Sequence, residues 1–335
     1  MKRFKALKVL CIIVAAIVAF FLVINLIPPA KVTDDNPFIV GKGNLPMVAA
    51  HRGGGACNPE NTMLAFREAV KTYQVDIIES DLYLTKDGYL VYNHDSYIDE
   101  TCNVNGDLTL EQVEELCETK ENRHYISDLT LAQLEQYNFG YYFEQDGQRI
   151  YKDVTDVAAA GLQIATVDKL FAEFYESNPD LLFIVEIKNS GEKGVEACRI
   201  LNEALKDYPK YQKQIVIGTF HEEVETELKT NYPHLLRGAS EASAGDYVKS
   251  LLLGVNLFDD SDFVCLQIPL EYDVAGFDLP LTLKPILSRS HRRNIAVQYW
   301  TINDPDEMRM LIDLGCDCIM TDNPQLLQQV LDEYR

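Results

Sequence analysis

Four short clusters concentrate side chains able to move protons, hold a cation or bind an anion: Ala49-Ala50-His51-Arg52-Gly53-Gly54-Gly55, Pro59-Glu60-Asn61-Thr62, Glu79-Ser80-Asp81 and Asn93-His94-Asp95. A fifth, Ile184-Val185-Glu186-Ile187-Lys188, sets a carboxylate and an ammonium in an apolar run. Each alone is weak. Together they suggest a site. On a strand Glu79 and Asp81 project to the same face and can share one hard cation through oxygen ligands. Glu186 offers a third carboxylate, and Lys188 points to its side. Both are costly to bury among β-branched neighbours unless they pair or bind something. An ion pair between them is the plainer alternative to a ligand site.

Such residues need strand ends to gather them. Short apolar runs alternate with helix-length amphipathic stretches, the pattern of βα units around a parallel sheet. Candidate strands lie at 46–50, 76–81, 89–93, 182–187, 214–218, 235–238, 263–267, 295–299 and 317–320. Nine runs exceed the eight of a closed α/β barrel, so one is either miscounted or a short hairpin partner, and the tight Thr85-Lys86-Asp87-Gly88 turn before Tyr89 shows where regular alternation of strand and helix fails. A helix over 61–73 follows from Met63, Phe66 and Val70 at helical spacing, with Pro59, Glu60 and Asn61 supplying breaker and capping chemistry. Residues 97–165 lack a barrel strand and read as an insertion over one rim, a lid or substrate-shaping subdomain. Within it Asp107-Leu-Thr-Leu-Glu-Gln and Asp128-Leu-Thr-Leu-Ala-Gln repeat after 21 residues. Two copies are too few for a solenoid and read as two similar helix starts.

Taken in order, the motifs HRG, PENT, ExD, HD, ExK, WTxN (Trp300 to Asn303) and TDxP (Thr321 to Pro324) resemble the glycerophosphodiester phosphodiesterase family over about 46–331. The resemblance implies an α/β fold of the TIM-type (β/α)8 barrel class, with its site at the C-terminal strand ends. It implies metal ligation by Glu79, Asp81 and Glu186, acid/base catalysis by His51 and His94, and phosphate contact by Arg52 and Lys188. Trp300, the single tryptophan, falls at the barrel mouth, where it could pack on glycerol carbons or stay in the core. Glu60 and Asn61 read as supporting or helix-capping residues rather than direct catalysts. His221 and Glu241 are ambiguous between rim and surface. The implied cofactor is a divalent metal, Ca²⁺ or Mg²⁺. The implied partner is a small-molecule glycerophosphodiester or lysophospholipid. The expected reaction is metal-dependent hydrolysis to glycerol 3-phosphate and an alcohol. The alternatives are a lysophospholipase D, a lyase of the same superfamily leaving a cyclic phosphate, and a noncatalytic binding module.

Charge and hydropathy place this domain. The first 31 residues carry five basic side chains and no acid, leaving 25 basic against 52 acidic residues, net −27, in the remainder. So negative a domain repels nucleic acid, which is excluded as a partner. Residues 9–27 are apolar but for Asn25, close to the roughly 20 residues that cross a bilayer as a helix. We expect a cytoplasmic N-terminus at 1–8, a retained transmembrane helix at 9–28, a breaker-rich linker at 29–45 acting as a tether, and a catalytic barrel at 46–335 outside the cytoplasm. A cleaved signal peptide is the competing reading, disfavoured by the long apolar core and the Pro28-Pro29 that follows it. The eight cysteines form no CxxC pair. Cys265, Cys316 and Cys318 read as small buried apolar residues.

Overall fold

All nine apolar runs form strands in the computed structural model, which describes residues 2–274 and 276–335. In chain order they are β1 Met47–Ala50, β2 Ile77–Leu84, β3 Leu90–Tyr92, β4 Leu182–Ile187, β5 Ile215–Gly218, β6 Leu236–Arg237, β7 Cys265–Ile268, β8 Ala296–Tyr299 and β9 Cys318–Thr321. Eight are parallel, in the order β6-β5-β4-β2-β1-β9-β8-β7, and a bridge between Gly238 and Cys265 joins the two ends into a TIM-type barrel. β3 is the hairpin partner, pairing antiparallel with the top of β2 at Leu82, Tyr83 and Leu84.

Burial follows the two-residue period of each strand. Ile78 and Leu82 of β2 and Phe183, Val185 and Ile187 of β4 face outward into the large core beneath the helices. Ile77, Leu182, Ile184, Val216, Ala296 and Cys318 face inward and pack with Phe38 inside the barrel. The helix expected over 61–73 spans Met63–Lys71 and buries Met63, Phe66 and Val70. Its cap is Thr62, whose side chain accepts from the Ala65 amide, and not Asn61, which is engaged elsewhere. The 97–165 region contains short helices, Leu110–Cys117 and Leu131–Leu134, and two small apolar clusters of its own. Both repeated segments start helices through capping boxes, Thr109 with Gln112 and Thr130 with Gln133.

Helix α1, Lys2–Leu26, contains the one stretch among the described residues long and apolar enough to cross a membrane, Leu7–Leu26. The side chains of Lys2, Arg3 and Lys5, on which the expected orientation partly rests, lie outside the described residues. The segment after α1 has no regular structure, as its prolines imply, but it is not a loose tether. Val32 donates to the Arg293 carbonyl, Asn36 Nδ2 reaches the Val264 and Asn294 carbonyls, and Phe38 is fully buried as a plug at the strand N-termini. Apolar residues scattered among the polar ones dock it.

Asp317 fastens this plug. Its buried carboxylate accepts from the Val40 amide at 3.0 Å, the Val297 amide at 2.7 Å and His291 Nε2 at 2.7 Å. The hydrogen bond to Asp317 holds the His291 pKa above its ordinary value despite burial. Asp317→Asn should therefore cost about 3 kcal/mol in denaturant unfolding. The His291 contribution is complete below its unfolded pKa and is lost as pH rises through the folded one, so the deficit of His291→Gln should shrink from mildly acidic to alkaline pH. A deficit that grows with pH would contradict this pairing.

Candidate active site

Four inward-facing columns of side chains are apolar low in the barrel and end in polar residues at the C-terminus: Ala49 leads to His51, Ile77 to Glu79 and Asp81, Ile184 to Glu186 and Lys188, and Met320 to Asp322, while a fifth runs from Ala296 through Gln298 to Trp300. The period of two that fills the barrel thus delivers these groups to its mouth. Asp81 and Glu186 are register partners on β2 and β4.

His51 sits one residue beyond β1. Its Nδ1–H donates to Asp322 Oδ1 at 2.6 Å, which leaves Nε2 facing Glu79 Oε2 at 3.9 Å. Burial alone would lower the imidazole pKa. The Asp322 hydrogen bond and the nearby Glu79 carboxylate outweigh it and raise the pKa. Asp322 is itself held by Asn303 Nδ2 at 2.7 Å, and Asn303 Oδ1 accepts from Thr321 Oγ1 and the Asp322 amide. This relay was not among the residues singled out in the sequence. Its signal lay in the WTxN and TDxP patterns, where Asn303, Thr321 and Asp322 had been given no role. Asp322→Asn should shift the limb of the pH–rate profile that belongs to His51 toward lower pH, whichever proton step His51 performs. An unmoved profile would deny the coupling.

Arg52 follows in a left-handed conformation, φ 54°, and its amide donates to Glu79 Oε2 at 2.8 Å. Gly53 and Gly54 continue the left-handed turn at φ 81° and 93°. A Cβ at Gly53 would stand 2.9 Å from Ala65 and Phe66, so this tight turn requires glycine. The Arg52 guanidinium reaches Glu60 at 2.9 Å and Asp81 at 3.7 Å. Asn61, also left-handed, donates to Asp81 Oδ2 at 3.1 Å. Glu60 and Asn61 therefore orient Arg52 and Asp81.

Lys188 bridges Asp81 at 3.2 Å and Glu186 at 3.1 Å, the ion pair anticipated as the alternative to a ligand site. Among the described residues no three His, Cys, Asp or Glu side chains already stand at metal-ligating spacing. The chemistry of the set nevertheless suits a hard cation. Burial first, then the Asp81 charge, pushes the Glu79 pKa far above the carboxylate range; burial likewise raises that of Glu186, against the pull of Lys188. Three inward carboxylates, two of which burial makes reluctant to ionise, form an oxygen donor set whose charged form a divalent ion would favour.

His94 lies on the loop after β3, its Nδ1 3.2 Å from Asp95 Oδ1, and is close enough to draw down the Glu186 pKa. Trp300 is half-buried at the end of β8 against the barrel interior. His221 Nε2 donates to the Lys188 carbonyl at 3.1 Å, buttressing that strand end, and Glu241 accepts from the Tyr272 hydroxyl at the rim.

The model of the glycerophosphoryl diester phosphodiesterase family matches residues 51–326. A glycerophosphodiester phosphodiesterase of Caldanaerobacter subterraneus subsp. tengcongensis is 26% identical over 283 residues, 84% of this chain and 96% of that relative. A lysophospholipase D of Homo sapiens is 25% identical over 311 residues, 85% of this chain and 86% of that one. The solved structure of an Oleispira antarctica phosphodiesterase in complex with the product sn-glycerol-3-phosphate superimposes with a TM-score of 0.59 at 21% identity, over 86% of this chain and 97% of that one. A putative glycerophosphoryl diester phosphodiesterase of Silicibacter pomeroyi gives 0.66 at 18%, over 89% and 96%. At these identities the structural likenesses speak to the fold.

Proposed function

This chain belongs to the glycerophosphoryl diester phosphodiesterase family, and from that membership we propose that it hydrolyses glycerophosphodiesters to glycerol 3-phosphate and an alcohol by metal-dependent, histidine-based acid/base catalysis. The observation that carries the reading is His51 held through Nδ1 by Asp322, beside Arg52 and the buried carboxylates. That arrangement fixes the tautomer and aims Nε2 into the mouth.

Glu79, Asp81 and Glu186 would hold a Ca²⁺ or Mg²⁺ ion, which supplies Lewis-acid polarisation of a phosphoryl oxygen when bound. Arg52, braced by Glu60, donates directional hydrogen bonds to a nonbridging oxygen. Lys188 adds positive charge from the end of β4. One histidine accepts the proton of the attacking hydroxyl, either of water or of the substrate's own glycerol, while the other donates a proton to the departing alkoxide. Trp300 offers an aromatic face to the glycerol carbons.

A second reading follows from the relatives named lysophospholipase D, in which the alcohol is a lysophospholipid headgroup and the glycerol carries one acyl chain. The same residues serve it. We also place the N-terminal helix as a retained single-pass anchor, with the N-terminus cytoplasmic and the barrel outside; the exposed apolar surface of Leu7–Leu26 supports this.

The deciding assay is glycerol 3-phosphate release from glycerophosphocholine by the full chain, with and without a divalent-metal chelator. We expect release that chelation abolishes and Ca²⁺ or Mg²⁺ restores. Cleavage confined to lysophosphatidylcholine would favour the second reading, a lasting cyclic phosphate would indicate the lyase, and no cleavage of any diester would overturn the proposal.

A further inference from the structure

We infer that the barrel stands with the N-terminal ends of its strands seated in the membrane interface, so that its catalytic mouth opens away from the bilayer and takes diesters delivered from water. This rests on the reading of α1 as a retained anchor. The end of α1 is fixed against the barrel base. Asn25 Nδ2 donates to the Gly254 carbonyl at 3.0 Å, while Arg292 donates to the Asn25 and Ile27 carbonyls at 3.0 and 2.9 Å. Ile24, within the apolar span, is buried. The following segment then runs beneath the strands through Val32, Asn36 and Phe38 to the start of β1.

The depth of this contact places the base. A Cβ at Gly254 would lie 3.7 Å from the Phe21 ring, and Phe21 is five residues inside the end of α1. At about 1.5 Å per residue, the turn carrying Gly254 reaches roughly 7 Å below the top of the apolar helix. That turn exposes Leu253 at 68% and Phe258 at 65%, with Leu252 beside them at 42%. Large apolar side chains at this depth, next to a membrane-spanning helix, have one fitting occupant, the acyl and headgroup boundary of the same bilayer. Arg292 at the helix end supplies a cation at headgroup level. The site residues lie at the other end of the barrel, where His51, Lys188, Trp300 and Asp322 each follow the last residue of their strands. Phe277, 79% exposed on the hairpin after β7, belongs to that far rim and is held off the bilayer that contains α1.

The test is quenching by lipids with brominated chains, using the full chain in vesicles and variants Phe258→Trp and Phe277→Trp against the parent, whose Trp300 is common to all. Phe258→Trp should add emission that bromolipid quenches at least twofold, and Phe277→Trp emission that it leaves unchanged. In the same vesicles, glycerophosphocholine should turn over within about twofold of its rate in detergent, and a lysolipid embedded in the leaflet at least tenfold more slowly than glycerophosphocholine. Quenching at Phe277→Trp, or none at Phe258→Trp in a chain that resists alkaline extraction, would overturn the orientation and leave the anchor intact. A chain extracted by alkali would remove the anchor reading and this inference with it.

Discussion

His94→Ala should release glycerol 3-phosphate about 10²–10⁴-fold more slowly than the parent chain, the range that a positioned acid or base contributes. Its stability should stay within about 0.5 kcal/mol. The separation of effects follows from where the side chain sits. It is 32% exposed on a loop, and among the described residues its one side-chain partner is Asp95. Nothing in the core depends on it, so a loss of rate reports chemistry rather than folding. His51→Ala should cost a similar factor in rate but also some stability, because Asp322 would lose the imidazole it faces at 2.6 Å. A folded His94→Ala chain with full activity would end the two-histidine assignment. Loss appearing in KM alone would make His94 a binding group.

The reach of sequence reasoning here was set by the strand period. Once Ile77, Glu79 and Asp81 are put on one strand, their common face is dictated by pleating, and the same holds for Ile184, Glu186 and Lys188. The turn at Thr85 to Gly88 likewise marked where the alternation fails, and the structure shows β3 there as the hairpin partner of β2. What local pattern could not supply was which column stands beside which. Asp322 follows β9 at the end of the chain and meets His51, 271 residues earlier, because β1 and β9 are neighbours in the closed ring. The docking of 29–45 escaped notice for the opposite reason. Its prolines and polar residues describe the local backbone correctly, but a single Phe38 entering the barrel decides its packing. Thr62 in place of Asn61 at the helix cap is a shift of one residue, made because Asp81 claims the Asn61 amide group.

Glu79→Gln should stabilise the metal-free chain while lowering its activity about a hundredfold or more. Glu79 is almost wholly buried, and burial first and Asp81 second raise its pKa above the ordinary value. A carboxyl whose folded pKa exceeds its unfolded one holds its proton more readily when folded. Its contribution to stability is therefore most favourable below about pH 4 and erodes as pH rises toward the folded value. Gln is the neutral isostere and can still accept from the Arg52 amide, so it removes that erosion. The gain at neutral pH should be about 0.5–2 kcal/mol and should vanish near pH 4. A divalent cation should reverse the order, raising the unfolding midpoint of the parent and leaving that of Glu79→Gln nearly still, since binding to the folded state alone stabilises by mass action. Removing the cation with a chelator should restore the original ranking. If Glu79→Gln is instead less stable than the parent at neutral pH without metal, the carboxylate is a structural partner of Arg52 and His51, and the costly ionisation that recommends a cation at this wall does not exist.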